Sequence, residues 1–248
     1  MKTPLRIAIL ECDTPPADVV AKYGRYDRIF KTLLETAAEG LGLSPTQDLK
    51  LSAYDVVTAQ EYPDLEKIDA VLISGSKHNS FDNDPWILKL VDFTEKLLKQ
   101  DRIRIIGVCF GHQILGRAAG AKVGRSDDGW EIAVMPVQLT AKGKEIFQQD
   151  TLSIHQMHKD VVFEYPADVE KLGGSPRCLV QGMYKKGKLI SVQGHPEFTE
   201  PIVSYLVKMR AEQGIFNEEQ AKDALERVGK PHDGVVIAKA FLRFLLED

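Results

Sequence analysis

Arg104-Ile105-Ile106-Gly107-Val108-Cys109-Phe110-Gly111-His112-Gln113-Ile114-Leu115-Gly116-Arg117-Ala118-Ala119 is the stretch that decides the fold. Its first five residues are rich in apolar, β-branched side chains and read as a buried strand. From Gly111 to Ala119 the pattern reads as a helix. Cys109 stands at the junction, inside Gly107-Val108-Cys109-Phe110-Gly111. That is the strand–nucleophile–helix elbow, with sulfur in place of a hydroxyl. The two glycines let strand and helix pack closely around a strained turn. Free backbone N–H groups at the helix N-terminus favour the thiolate over the thiol. The alternative is a buried structural cysteine, because free Cys is among the most buried residue types.

A second segment bears on that choice. Gln193-Gly194-His195-Pro196-Glu197 follows the strand-like run Lys188-Leu189-Ile190-Ser191-Val192. A thiol nucleophile needs a base, and the base needs a third group to orient it. His195 suits the base. Glu197, two residues on, points to the same side of an extended segment and can bond the far ring nitrogen. Pro196 lacks an N–H and keeps the residue before it extended. A loop histidine beside a solvated glutamate is the bland reading. Each motif closing an apolar strand is what a Cys–His–Glu triad requires.

Outward from the elbow, strands alternate with helices. Arg6 to Glu11, Leu49 to Val57, Asp69 to Ile73 and Arg104 to Val108 read as strands. Tyr26 to Leu41 carries Ile29, Leu33, Leu34, Ala37 and Leu41 on one helical face. Pro85 to Lys99 reads as a helix with Asp84 at its N-cap. This order predicts an α/β fold: an open, mostly parallel sheet flanked by helices on both faces. Ligands of such sheets bind beyond the carboxyl ends of the strands, where Cys109 and the Gly75 loop lie. Between Val123 and Val192 the pattern shifts to short alternating strands, a smaller antiparallel section. It includes a hairpin at Lys185-Lys186-Gly187. Helices are expected at about 200–213, 217–228 and 234–247.

With those residues in hand, the chain resembles the class I glutamine amidotransferase family. The resemblance rests on Gly107-Val108-Cys109-Phe110-Gly111-His112-Gln113 and the downstream His195-Pro196-Glu197, with Ser74-Gly75-Ser76-Lys77 through Asp82 in the place of the family's oxyanion loop. It runs from about residue 5 to residue 210. Phe110-Gly111-His112-Gln113 and Gln156-Met157-His158-Lys159-Asp160 make the chain look closest to stand-alone members of fungi and plants, including γ-glutamyl peptidases. The resemblance implies a flavodoxin-like arrangement and one amidotransferase-type domain over 1–248, with a helical C-terminal extension from about residue 214.

For the site, the elbow pattern puts one oxyanion donor at the N–H of Phe110, and the resemblance places the second at Ser76. Each such donor is usually worth a few kcal/mol. Many family members have Gly-Gly-Pro where this chain has Gly75-Ser76-Lys77. That change keeps the Ser76 N–H and adds Lys77, which either meets a substrate carboxylate or is simply solvated. Gln113, four residues after Cys109, can face the same pocket. The matching family glutamine helps hold the amino-acid end of the glutamyl group; otherwise Gln113 is a polar residue on a wet helix side. Met157 and His158 match a pocket-lining segment of the family from which this chain departs at two positions. His158 is thus a pocket residue, a structural histidine or a metal ligand. No acidic or cysteine ligand is expected to cluster with it. Cys12 and Cys178 read as buried and inert, His78 and His232 as surface residues, and Trp86 and Trp130 as packing anchors.

The chain's 248 residues, formal charge of −4, 44% hydrophobic and 27% charged content are ordinary for a soluble globular protein. No basic stretch suggests nucleic acid, and no apolar run reaches the length of a membrane span. Three cysteines without regular spacing argue against a disulfide framework or a zinc site. The start Met1-Lys2-Thr3-Pro4 leads straight into a strand, so a cytoplasmic enzyme is expected. The resemblance implies cysteine-dependent hydrolysis of a γ-glutamyl amide, in glutamine or a γ-glutamyl peptide such as a glutathione conjugate, through a thioester at Cys109. It needs no metal or organic cofactor. No P-loop is present, so ammonia delivery would require a separate synthetase as partner. The departures in the two pocket loops favour a peptide. A non-catalytic regulatory module on the same fold is the competing class; an unrelated α/β-hydrolase is disfavoured because its acid precedes its histidine.

Overall fold

The apolar, β-branched runs lie side by side in a nine-stranded sheet in the computed structural model, which describes residues 2–247. The strands are β1 (Leu5–Glu11), β2 (Leu49–Asp55), β3 (Ala70–Ile73), β4 (Arg104–Val108), β5 (Val123–Arg125), β6 (Glu131–Leu139), β7 (Leu152–His158), β8 (Asp160–Val162), β9 (Glu170–Gly174), β10 (Gly182–Lys185) and β11 (Leu189–Val192). The helices are α1 (Ala17–Tyr23), α2 (Tyr26–Glu39), α3 (Pro45–Asp48), α4 (Pro85–Leu98), α5 (Phe110–Ala118), α6 (Ala141–Phe147), α7 (Glu200–Glu212), α8 (Glu218–Arg227) and α9 (Gly234–Leu246).

The main sheet has the order β2-β1-β3-β4-β11-β10-β9-β6-β7. From β2 to β11 neighbouring strands are parallel; from β11 to β7 they are antiparallel. A separate antiparallel pair joins β5 to β8. The expected parallel sheet with an antiparallel section is therefore what forms, and the antiparallel part continues the parallel sheet. Register does the positioning. Ile73 lies opposite Gly107, and Val192 opposite Val108. The residues after β3, β4 and β11 therefore emerge together at one end of the sheet.

Each face of the sheet packs against helices. On one face Ile106, Val108 and Ile190 meet Phe30, Leu34 and the α9 residues Phe241 and Leu245. On the other, Val71, Ile105 and Leu189 meet Ile87, Leu90, Ile114 and Leu115. Each such buried side chain contributes about 1.5–3 kcal/mol. Buried Arg104 turns its guanidinium to the carbonyls of Phe244 and Glu247 at the end of α9. A cation there satisfies carbonyls that the helix leaves open.

One helix was not expected, and three local expectations are corrected. Residues 17–23 form α1, entered at Pro16, whose carbonyl accepts the N–H of Val20 at 2.9 Å. Strand β2 stops at Asp55 because its side chain accepts the N–H groups of Val57 and Thr58 in a turn. Helix α2 stops at Glu39, where the chain turns through Gly42 at φ +75°. Asp84 occupies the cap position of α4 but caps through its carbonyl; its side chain makes no cap bond. Among the described residues no helix is long and apolar enough to cross a membrane.

Candidate active site

Cys109 sits between β4 and α5 at φ +52° and ψ −104°. A non-glycine residue there is strained, and the surrounding hydrogen bonds hold it. Its N–H donates to Val192 O at 3.0 Å, the N–H of Gln113 to Cys109 O at 3.0 Å, and the N–H of Gly111 to Ser74 O at 3.2 Å. A Cβ on Gly111 would fall 2.2 Å from the carbonyl oxygen of Ile73, so only glycine lets α5 sit this close to β3. The turn leaves the N–H of Phe110 without an acceptor among the described residues, and that of Ser76 likewise. Gly75 lies directly above the site: a Cβ there would approach His195 Cε1 to 2.8 Å and Cys109 Cβ to 3.7 Å.

His195 is buried at the end of β11. Its Nδ1 lies 2.8 Å from Glu197 Oε1, and the charge of Cys109 acts on its ring. Phe198 stacks on it at 4.0 Å with the rings 2° from coplanar. The His195 N–H donates to His155 O at 2.7 Å, tying the segment to β7. Burial pulls the imidazole's pKa down, but the charges of Cys109 and Glu197 and the bond to Glu197 outweigh it and lift it to about 10. Gln193 Nε2 donates to Cys109 Sγ at 3.7 Å. Cysteine, imidazole and carboxylate thus lie together in one buried row.

Two cavities meet at this row. A small one of about 70 Å³ lies over Cys109, with Gln113, Met157, His158 and Asp160 among its walls. A larger one of about 550 Å³ lies on the His195 side. Gln113 is at the expected place, but its polar atoms are committed. Its Oε1 accepts from Ser80 Oγ at 2.9 Å, and its Nε2 donates to Asp160 O at 2.8 Å and Gln193 Oε1 at 3.1 Å. Lys77 is exposed, with its Nζ 2.9 Å from Asp13. The N–H of Lys77 donates to the same carboxylate at 2.9 Å, which holds the loop carrying Ser76.

Comparison with known proteins fits this geometry. The family profile described as "Glutamine amidotransferase class-I" matches residues 32–213. The chain belongs to the class I glutamine amidotransferases. A glutamine amidotransferase-like protein of Schizosaccharomyces pombe is 37% identical over 97% of this chain and 98% of its own. Gamma-glutamyl peptidase 2 of Arabidopsis thaliana is 33% identical over 86% of each. The crystal structure of a glutamine amidotransferase from Thermotoga maritima superposes with a TM-score of 0.74 at 18% identity, covering 98% of this chain and 99% of that one.

Several side-chain expectations need correction in this family member. His158 was expected to have no acidic or cysteine neighbours. Its Nε2 lies 3.0 Å from Glu131 Oε2, and Cys178 completes a buried group whose donor atoms are within 4.8 Å of one another. These groups are bonded to one another and to the protein around them: His158 Nδ1 meets Asp160 O, and Glu131 also accepts from Ser175 and Gln181. Burial pushes the Cys178 thiol well up, and it donates to Val180 O. His232 is half-buried against His155, and His78 half-buried against Trp86. Trp86 is a packing anchor, stacked on Phe110. Trp130, expected to be one, lines both cavities.

Asp13, Gln193 and Arg210 of the cleft were not picked out from the sequence. Asp13 follows the carboxyl end of β1, where the strand-end rule could have found it. Arg210 follows Ile202 and Leu206 at helical spacing on α7, a charge on an apolar stripe.

Proposed function

We propose that this protein hydrolyses a γ-glutamyl amide bond, with Cys109 as nucleophile. The observation that carries the reading is the buried Cys109–His195–Glu197 row beneath two free backbone N–H groups. Cys109 thiolate attacks the γ-carbonyl carbon, and the carbonyl electrons move onto oxygen. The N–H groups of Phe110 and Ser76 receive that oxyanion. His195 then gives its proton to the departing amine as the C–N bond breaks, leaving a thioester on Cys109. Water, deprotonated by His195, adds to the thioester; the C–S bond breaks and glutamate leaves. Glu197 holds the ring through Nδ1 and stabilises the imidazolium. Gly75, Lys77, Gln113, Met157 and His158 frame the glutamyl pocket, with Gln113 and His158 as fixed walls.

The likeness to a γ-glutamyl peptidase over most of the chain supports a peptide as substrate. The test is glutamate release from glutamine and from γ-glutamyl peptides, with Cys109→Ala as control. Faster release from peptides, lost in the variant, is the expected result. Faster release from glutamine would assign the chain to ammonia supply for a separate synthetase. No release from any of them would overturn the hydrolytic reading in favour of a regulatory role.

A further inference from the structure

Three permanent cations line both cavities: Lys77, Arg125 and Arg210. Two already face carboxylates of the protein. Lys77 is paired with Asp13, and Arg125 with Asp160 at 2.9 Å. Arg210 is different. Among the described residues no carboxylate pairs with it, and its Nη1 is buried without any acceptor. Buried Arg104 and half-buried Arg227 each reach two backbone carbonyls. Burial draws the Arg210 pKa down, with Cys109, Tyr26 and Asp13 the charges that oppose this from a distance. A buried polar group left unsatisfied costs free energy, so an unpaired guanidinium facing a cleft marks a place where an anion belongs.

The side chain is also held ready. Its guanidinium lies 5.2 Å from the Trp130 ring and 5.8 Å from that of Phe216, on aromatic faces that fix a planar fork. Such a fork matches a carboxylate through two parallel N–H bonds. Arg210 borders both cavities, so whose carboxylate it meets follows from how the reaction divides the substrate between them. The amine that leaves must take its proton from His195, which lines the larger cavity and not the smaller. The released part of the substrate therefore occupies the larger cavity. Apart from its cations and Asp13, which Lys77 pairs, that chamber is largely apolar, walled by Pro16, Tyr26, Trp130, Phe198, Leu206 and Met209. Ammonia has no carboxylate and no use for about 550 Å³.

We infer that Arg210 binds a carboxylate on the leaving-group side of the substrate, which selects γ-glutamyl peptides whose released portion carries a free carboxylate beside an apolar body. This rests on the proposed hydrolysis at Cys109, but its test has an arm independent of turnover.

Steady-state kinetics would compare a γ-glutamyl dipeptide, its C-terminal amide and glutamine, in the unaltered protein and in Arg210→Gln and Arg210→Lys. The acid should be preferred over the amide by about 10- to 100-fold in kcat/KM, the worth of a charge-assisted bond. Arg210→Gln should remove that preference through KM and leave the amide and glutamine nearly unchanged; Arg210→Lys should restore part of it. Equal losses on all three substrates would place Arg210 at the glutamyl end and overturn the inference, as would no loss. Independently, calorimetric titration of Cys109→Ala with acid and amide reads binding without turnover. Equal affinities would overturn the carboxylate site even if hydrolysis is real. A large difference would uphold the site even if hydrolysis fails.

Discussion

At Cys109 and His195, charge and backbone strain act together. The imidazole's pKa lies at about 10 because it faces both Cys109 and Glu197, despite the burial that opposes its charge. The sign follows: the group is raised, so the imidazolium needed to protonate the leaving amine persists through neutral pH and is lost as pH rises through about 10. Activity on a γ-glutamyl peptide should therefore hold from pH 7 to 9 and fall on that alkaline limb. Glu197→Gln removes one of the two charges. It should move the alkaline limb to lower pH and cut kcat on the order of 10²- to 10⁴-fold. A pH–rate profile of both proteins checks this; an unmoved limb would mean Glu197 does not set the charge of His195. The Cys109, His195 and Glu197 candidates were legible because each sits in a short motif at a strand end. Arg210 was not, because an arginine on a helix is usually solvated and only the packing of α7 against Trp130 shows otherwise.

Between elements, close approach decides. Gly111→Ala would drive a Cβ to 2.2 Å from the Ile73 carbonyl oxygen, a backbone atom that cannot swing aside. Helix α5 must then move off β3, at a cost of about 1–3 kcal/mol or more. Urea unfolding should show that loss, and activity should fall with it because the elbow moves too. Glu131, at the start of β6, ties β7 to β10 and its approach through His158, Ser175 and Gln181. Burial pushes its carboxyl up, but His158 and Ser175 outweigh this and hold it below its ordinary value. A depressed carboxyl contributes stability above its unfolded pKa, near 4.5, and loses it as pH falls through the folded value. Glu131→Gln should thus cost about 1–3 kcal/mol at pH 7, and the gap to the unaltered protein should close in acid. Urea titrations at several pH values measure it.

For the whole molecule, α9 closes one face of the sheet by packing on α2. Phe241 is fully buried there, so Phe241→Ala should cost about 3–5 kcal/mol. A thermal melt should then shift down by roughly 10 °C, with the substrate preference of the residual folded protein unchanged. A variant that melted normally would show that α9 is peripheral to the fold.

The sequence by itself determined the strands, the elbow and the Cys109 and His195-Pro196-Glu197 motifs, because each is a local pattern of burial and turn chemistry. The α/β class followed from the alternation of those patterns. Tertiary structure decided what no local pattern carries. It brought Asp13 to the loop of Ser76 and Glu131 to His158, and it committed the polar atoms of Gln113 inside the protein. It also left Arg210 unpaired in the cleft. Those outcomes depend on which strand ends meet and on how completely each polar atom is already bonded, and both are set only when the sheet's register brings distant segments together.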